Sequence, residues 1–215
     1  MLNIETLRVV VGIAAGLAIT TLLILISLLV MSRIQNNREK RQERFYMEWE
    51  PLLAEASLGS KQLNLLPSLQ RRDYISFLLL WNRFQQNLRG DSRRGLVQLA
   101  TNLGMDKVVA RMTGSRDETD KALAALTLGN LKDYSRWYLL QNMAERESGL
   151  CAQIAAGALA KIDPLRAAPI LISLFAERHE WPQTRVAAIL GEMGSGTVSK
   201  PLVEAIRKAE ETDIP

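Results

Sequence analysis

A period of 31 residues runs through the C-terminal half of this chain, and it leaves few folds open. Residues 120–131 read DKALAALTLGNL, residues 151–162 read CAQIAAGALAKI, and residues 182–193 read PQTRVAAILGEM. Laid over one another, they align Leu128 with Leu159 and Leu190, Ala125 with Ala156 and Ala187, and Leu131 with Ile162 and Met193. The residue after the shared leucine stays small: Gly129, Ala160 and Gly191. Ala124, Leu128 and Leu131 keep the four-then-three spacing of a single helix face. Alanines on that face let a neighbouring helix approach, where bulky side chains would hold the axes apart. A second apolar set follows each segment, Leu139-Leu140-Met143, then Ile170-Leu171-Leu174, then Leu202-Val203-Ile206, at steps of 31 and 32 residues. Each unit is therefore two helices and two turns, repeated three times. A helix pair that cannot bury its apolar face alone does so by stacking on the next pair. The expected fold class is all-α.

The stretch GEMGSGT at residues 191–197 has the outer glycines of a phosphate-binding loop. Such a loop follows a buried strand and places a lysine directly after its last glycine. Here the upstream RVAAIL belongs to the third small-residue helix, and the nearest lysine is Lys200. Gly194 and Gly196 are read instead as ending one helix, where a positive φ is needed, and opening the turn to the next. With that settled, TRVAAILGEMG followed by KPLVEAI, and the earlier ALAALTLGNL, resemble HEAT repeats, in particular the short bacterial HEAT-like kind. The shared marks are an alanine-rich second helix, a Leu-Gly near its end, and a Pro-Leu start to the following helix, as at Pro201-Leu202. The likeness covers about residues 117–209. It implies an α-solenoid, an architecture that many functions share.

Residues 9–32, VVVGIAAGLAITTLLILISLLVMS, carry no charge. As a helix, a run of that length reaches roughly 36 Å, enough to cross a hydrocarbon core of about 30 Å. It exceeds the apolar region of a signal peptide, and no small-residue cleavage pattern follows it, so it is read as a retained transmembrane helix. One basic residue, Arg8, precedes it, whereas Arg33, Arg38, Lys40, Arg41 and Arg44 follow. That asymmetry places the C-terminal bulk in the cytoplasm, as a single-pass protein of the cell membrane, with the basic flank near lipid headgroups. Gly12 and Gly16 form a G-x-x-x-G suited to pairing two such helices, either two copies of this chain as a homodimer through the span or this span with that of another protein.

The expected organisation is a tail and transmembrane helix at 1–32, a basic juxtamembrane helix or linker at 33–66, capping helices with a degenerate first repeat at 67–116, and HEAT-like repeats at 117–215. The degenerate repeat is GLVQLATNLGMDKVVARM, where Leu103-Gly104 mimics the repeated Leu-Gly. Two groups of residues are candidates for partner binding. The first is the basic set Arg71, Arg72, Arg83, Arg89, Arg93 and Arg94, which suits an acidic partner, a phosphate or lipid headgroups; its plainer explanation is a solvated helix face. The second is the tryptophans Trp137 and Trp181, binding anchors if exposed and core otherwise.

No catalytic constellation assembles from the sequence. The chain has one histidine and one cysteine, which leaves no disulfide and no cysteine-built zinc site. Asp117, Glu118 and Asp120 are explained by a helix start. No cofactor or metal is called for, and 27 basic residues against 23 acidic ones are too few to indicate nucleic acid as the partner. The resulting expectation is a non-catalytic, membrane-anchored scaffold or adaptor whose partner is an integral membrane protein. Its resemblance to small anchored HEAT proteins implies an accessory subunit of a polysaccharide-synthesis glycosyltransferase complex. The rival expectations are a HEAT-like lyase or chaperone acting on a cofactor-bearing client, and a HEAT-like DNA-binding enzyme.

Overall fold

A computed structural model of the chain describes residues 20, 21, 24–27, 33, 40–59, 66–88, 90 and 92–212, with side chains described as far as residue 207. Every regular element among the described residues is helical; none is a strand. The chain divides into two compact units, residues 1–50 and residues 51–215.

In the first unit, residues 40–50 are helical. Phe45 and Trp49 lie four apart, one turn of helix, and their rings stack with centroids 5.8 Å apart. Gln42 donates to the Tyr46 hydroxyl at the same spacing. Among the described residues no helix is long and apolar enough to cross a membrane. Most of the uncharged run at 9–32, with Gly12 and Gly16, lies outside the described residues, and residues 20, 21 and 24–27 of it are helical.

In the second unit residues 51–57, α1, continue the helical run of residues 40–50, and the helix stops before Gly59, which has φ +76°. There follow α2 (Tyr74–Asn87), α3 (Ser92–Asn102), α4 (Met105–Met112), α5 (Glu118–Leu131), α6 (Trp137–Arg146), α7 (Gly149–Ile162), α8 (Pro164–Glu177), α9 (Gln183–Met193) and α10 (Ser195–Thr212). The caps are legible in the residues. Asp117 accepts a hydrogen bond from the Thr119 N–H at 2.8 Å, and Glu118 and Asp120 follow in the first turn of α5. Asp163 does the same for α8 through the Arg166 N–H, with Pro164 at the first helical position.

The helices α2, α5, α7 and α9 pack on one another in that order as one layer, and α8 packs on α10 in a second. The small-residue helices are thus neighbours, as the 31-residue period requires. Ala124, Ala125, Leu128, Ala155, Ala156 and Leu159 are fully buried between them. A methyl group built on Gly129 would lie 2.7 Å from Ala158 Cα and 2.8 Å from its Cβ, so at the position after the repeated leucine the backbones of α5 and α7 approach too closely for a side chain. Before the repeats, Trp81 donates its indole N–H to the Leu96 carbonyl at 2.8 Å, joining α2 to α3. Gly95 on α3 lies so near the Ala56 carbonyl that no side chain fits there.

Three details differ from the expectations. Leu103-Gly104 does not repeat the geometry of Leu128-Gly129: Gly104, at φ +69°, is the turn between α3 and α4, whereas Gly129 lies inside α5, and both α2 and α4 pack against α5. α10 starts at Ser195 rather than at Pro201-Leu202, so only Gly194, at φ +83°, forms the turn and Gly196 is already helical. In consequence α10 presents Val198, Pro201 and Ala205 to its own layer, while Leu202, Val203 and Ile206 face outward, Val203 being 65% exposed.

Candidate functional site

A line of side-chain hydrogen bonds crosses the layer of small-residue helices at one end. It begins at Asn82 on α2, which is buried and donates to the Leu78 carbonyl and to the Thr127 hydroxyl, each at 2.8 Å. Asn130 on α5 donates to the Asn82 side-chain oxygen at 2.7 Å. Lys161 on α7 donates to the Asn130 side-chain oxygen at 3.1 Å and pairs with Glu192 on α9 at 3.6 Å. Asn130, Lys161 and Glu192 stand at the same step of 31 residues as the repeated leucines, two places after each. The polar row therefore belongs to the repeat, although it shares no residue type from one unit to the next.

This ladder borders a groove of about 690 Å³, within the range of small-molecule sites. Its walls come from the start of α3, the ends of α5 and α7, and the start of α8. Arg93, Arg94, Lys132 and Lys161 supply cations, and among the described residues Glu192 is the carboxylate on its lining. Val97, Leu131 and Pro164 give it an apolar side. Arg93 also closes the C-terminal end of α2, since its Nε and Nη2 donate to the Gln85 carbonyl and Nε donates to that of Leu88 as well.

Lys132 has φ +55°, and no other described non-glycine residue has a positive φ. It ends α5 in the left-handed region. Its own N–H reaches the Gly129 carbonyl and the Asp133 N–H reaches that of Leu128, the paired closure of a Schellman end. Thirty-one residues on, the corresponding places are Asp163, in extended backbone, and then Gly194 at φ +83°.

The arginines that cluster in the sequence do not gather on one surface. Arg93 and Arg94 line the groove. Arg71 borders a separate open depression with Arg111 and Tyr74. Arg72 lies 4.0 Å from its neighbour Asp73, and Arg83 is exposed on α2 away from both depressions. Arg89 lies outside the described residues. Both tryptophans are core rather than surface anchors. Trp137 is 1% exposed under the Arg166 guanidinium, which lies 4.5 Å from its ring, and Trp181 is 4% exposed beside Phe175. Tyr138, by contrast, is exposed, with the same guanidinium 5.4 Å from its ring.

Two further polar features lie away from the groove. Lys121 and Glu147 form an ion pair at 2.6 Å, and the hydrogen bond raises the lysine above its ordinary range. Cys151 is buried close by; burial, then the charge of Glu147, pushes its thiol upward and keeps it protonated. His179 is in a turn, its Nδ1 3.2 Å from the Glu177 carbonyl. Among the described residues, no three His, Cys, Asp or Glu side chains gather as ligands for a metal ion.

Comparison with protein-family models, with curated proteins and with solved structures gave no match.

Proposed function

We propose that the chain is a membrane-anchored HEAT-like α-solenoid acting as a non-catalytic adaptor, an accessory subunit of a membrane protein assembly. The observation that carries this reading is the run of neighbouring helices α5–α7–α9, whose period of 31 residues governs both the close-packed small residues and the polar positions Asn130, Lys161 and Glu192 along one edge. Stacked repeats of this kind build an extended face from successive helices, and such faces serve binding. The uncharged run at 9–32 and the basic residues after it support an anchor with the repeats on the cytoplasmic side. Tethering would hold the groove close to any partner in the same membrane and raise its effective concentration there. A polysaccharide-synthesis glycosyltransferase complex is the setting that the HEAT resemblance suggests.

The test is crosslinking in intact membranes, followed by purification of the full chain and identification of its neighbours by mass spectrometry. The adaptor reading expects the chain in the membrane fraction after alkaline extraction and one integral membrane protein recovered in stoichiometric amount. Release by alkali removes the anchor. Copurification of a pigment or nucleic acid in place of a protein replaces the adaptor with a lyase, chaperone or DNA-binding reading.

A further inference from the structure

We propose that the end of the helix stack formed by α9 and α10 is a docking face for a second copy of this chain, which meets it face to face about a twofold axis. The pairing is independent of the adaptor reading and of the membrane span, since it follows from which side chains of the third unit are left uncovered.

The first argument compares the three units. Ala125, Leu128 and Gly129 on α5 are buried, and so are Ala156, Leu159 and Ala160 on α7. At the same places in the third unit, Ala187 and Gly191 are exposed and Leu190 is half-buried. The second helices behave alike. Leu140 and Met143 on α6, and Leu171 and Leu174 on α8, are at most 6% exposed, whereas Val203 and Ile206 on α10 are 65% and 52% exposed. Among the described residues the second unit is followed by another and the third is not, so the uncovered positions are those on which a following unit packs. A unit that closes a stack carries a polar outer face. Here Ala187, Leu190, Gly191, Leu202, Val203 and Ile206 are all apolar, as in an interior unit.

The second argument is what can cover such a face. It is shaped for a helix pair, because α7 and α8 offer the same positions to α9 and α10. The other end of the stack does not supply one. There α2 buries Phe77, Leu80 and Trp81, and the Trp81 indole is held by the Leu96 carbonyl of α3. Head-to-tail stacking into a filament is thereby disfavoured, and the matching apolar surface is this same face on a second copy. Two copies meeting through one face form an isologous pair, in which each aliphatic patch covers the other.

The third argument is extent. α9 has 11 residues and α10 has 18. At about 1.5 Å per residue and about 10 Å across, the two helices present roughly 430 Å² per copy, so a pair encloses roughly 850 Å². That falls short of the roughly 1,200 Å² of a stable complex, which makes this a reversible dimer rather than an obligate one.

The experiment uses the full chain in the cells that express it. Cys151, the one cysteine, is buried and is replaced by alanine, and Val203→Cys supplies a single new thiol. A short bismaleimide then joins only thiols that lie together, and the expected product has twice the mass of the chain. Tyr138→Cys, also exposed but on α6, should give no such product. Adding Ile206→Glu to Val203→Cys should lower the yield about tenfold, since pairing would bring like charges together. Helical circular dichroism checks that this variant folds. Should it not, Ser199→Glu places the same charge one turn from Val203 on an exposed residue. The proposal is overturned if Leu202→Cys, Val203→Cys and Ile206→Cys all fail to give the doubled product, or if the folded charge variant crosslinks as before. It is equally overturned if Tyr138→Cys gives the product in the same yield, which assigns pairing to the span, or if the product holds a different protein in place of the second copy.

Discussion

Gly129 and Ala158 face each other with no room for a methyl group between them: a Cβ on Gly129 would come within 2.8 Å of the Ala158 side chain. Gly191, at the corresponding place in the third unit, has open space around it. The same substitution should therefore have opposite signs at the two positions. Gly191→Ala should stabilise by about 0.5–1 kcal/mol, because alanine restricts the unfolded chain and favours helix. Gly129→Ala must first push α5 and α7 apart, which costs about 1–3 kcal/mol and exceeds that gain. Urea unfolding of the two variants measures both. Equal and favourable shifts would show that α5 and α7 are not in backbone contact.

The left-handed end of α5 makes a second prediction. Glycine at position 132 would relieve about 1 kcal/mol of backbone strain, with the hydrogen bonds to Gly129 and Leu128 left in place. Lys132→Gly should raise the thermal midpoint, while Lys132→Val, β-branched at the same φ, should lower it. A midpoint that does not move with glycine would mean that the lysine is unstrained.

The ladder can be probed by a double-mutant cycle. Asn82→Ala removes a buried amide that donates twice and accepts from Asn130, and should cost about 2–3 kcal/mol. Asn130→Ala should cost less, its site being only partly buried. The two changes should be coupled by about 0.5–1.5 kcal/mol, since each variant already loses the bond they share. Additive effects would separate the ladder into independent contacts.

Stability should decline on the alkaline side through Cys151 and Lys121, whose proton affinities are both raised by folding. The folded chain keeps these protons longer than the unfolded one, so their contribution is complete below the unfolded pKa values, about 8.5 for cysteine and about 10.4 for lysine. Above each value the unfolded state loses its proton first and gains stability relative to the native state. Denaturant titrations from pH 7 upward should show the stability of the wild type falling relative to that of Cys151→Ala once the pH passes about 8.5. A constant gap between the two would mean that the thiol titrates normally in the folded chain.

What the sequence disclosed was whatever repeats as a residue type. Leu128, Leu159 and Leu190, and the small residues that follow them, announce themselves because close packing tolerates only a narrow range of volumes. The acidic start of α5, Asp117 with Glu118 and Asp120, is equally plain, since carboxylates suit the free N–H groups of a helix start. The ladder is hidden for the opposite reason. A hydrogen bond between units needs complementary groups, so Asn130, Lys161 and Glu192 must differ, and only their common step of 31 betrays them. Pro201 misled for a related reason: proline suits a helix start, but Pro169 and Pro201 both sit inside helices. The arginines misled because nearness along a chain that turns every 3.6 residues is not nearness on a surface. Nothing in the sequence marks Lys132, where the rule for a left-handed helix end asks for glycine.

The closeness of Gly129 to Ala158 also bears on how the stack can bend. Where two backbones touch, the spacing of the helices is set by atoms that have no alternative rotamer, and the joint is stiff. Between α7 and α9 the place held by Ala158 is taken by Ile189, whose side chain lies 3.9 Å from where a Cβ on Gly157 would be. There the contact at Gly157 is with a side chain rather than with backbone, and the Lys161–Glu192 ion pair spans the same seam.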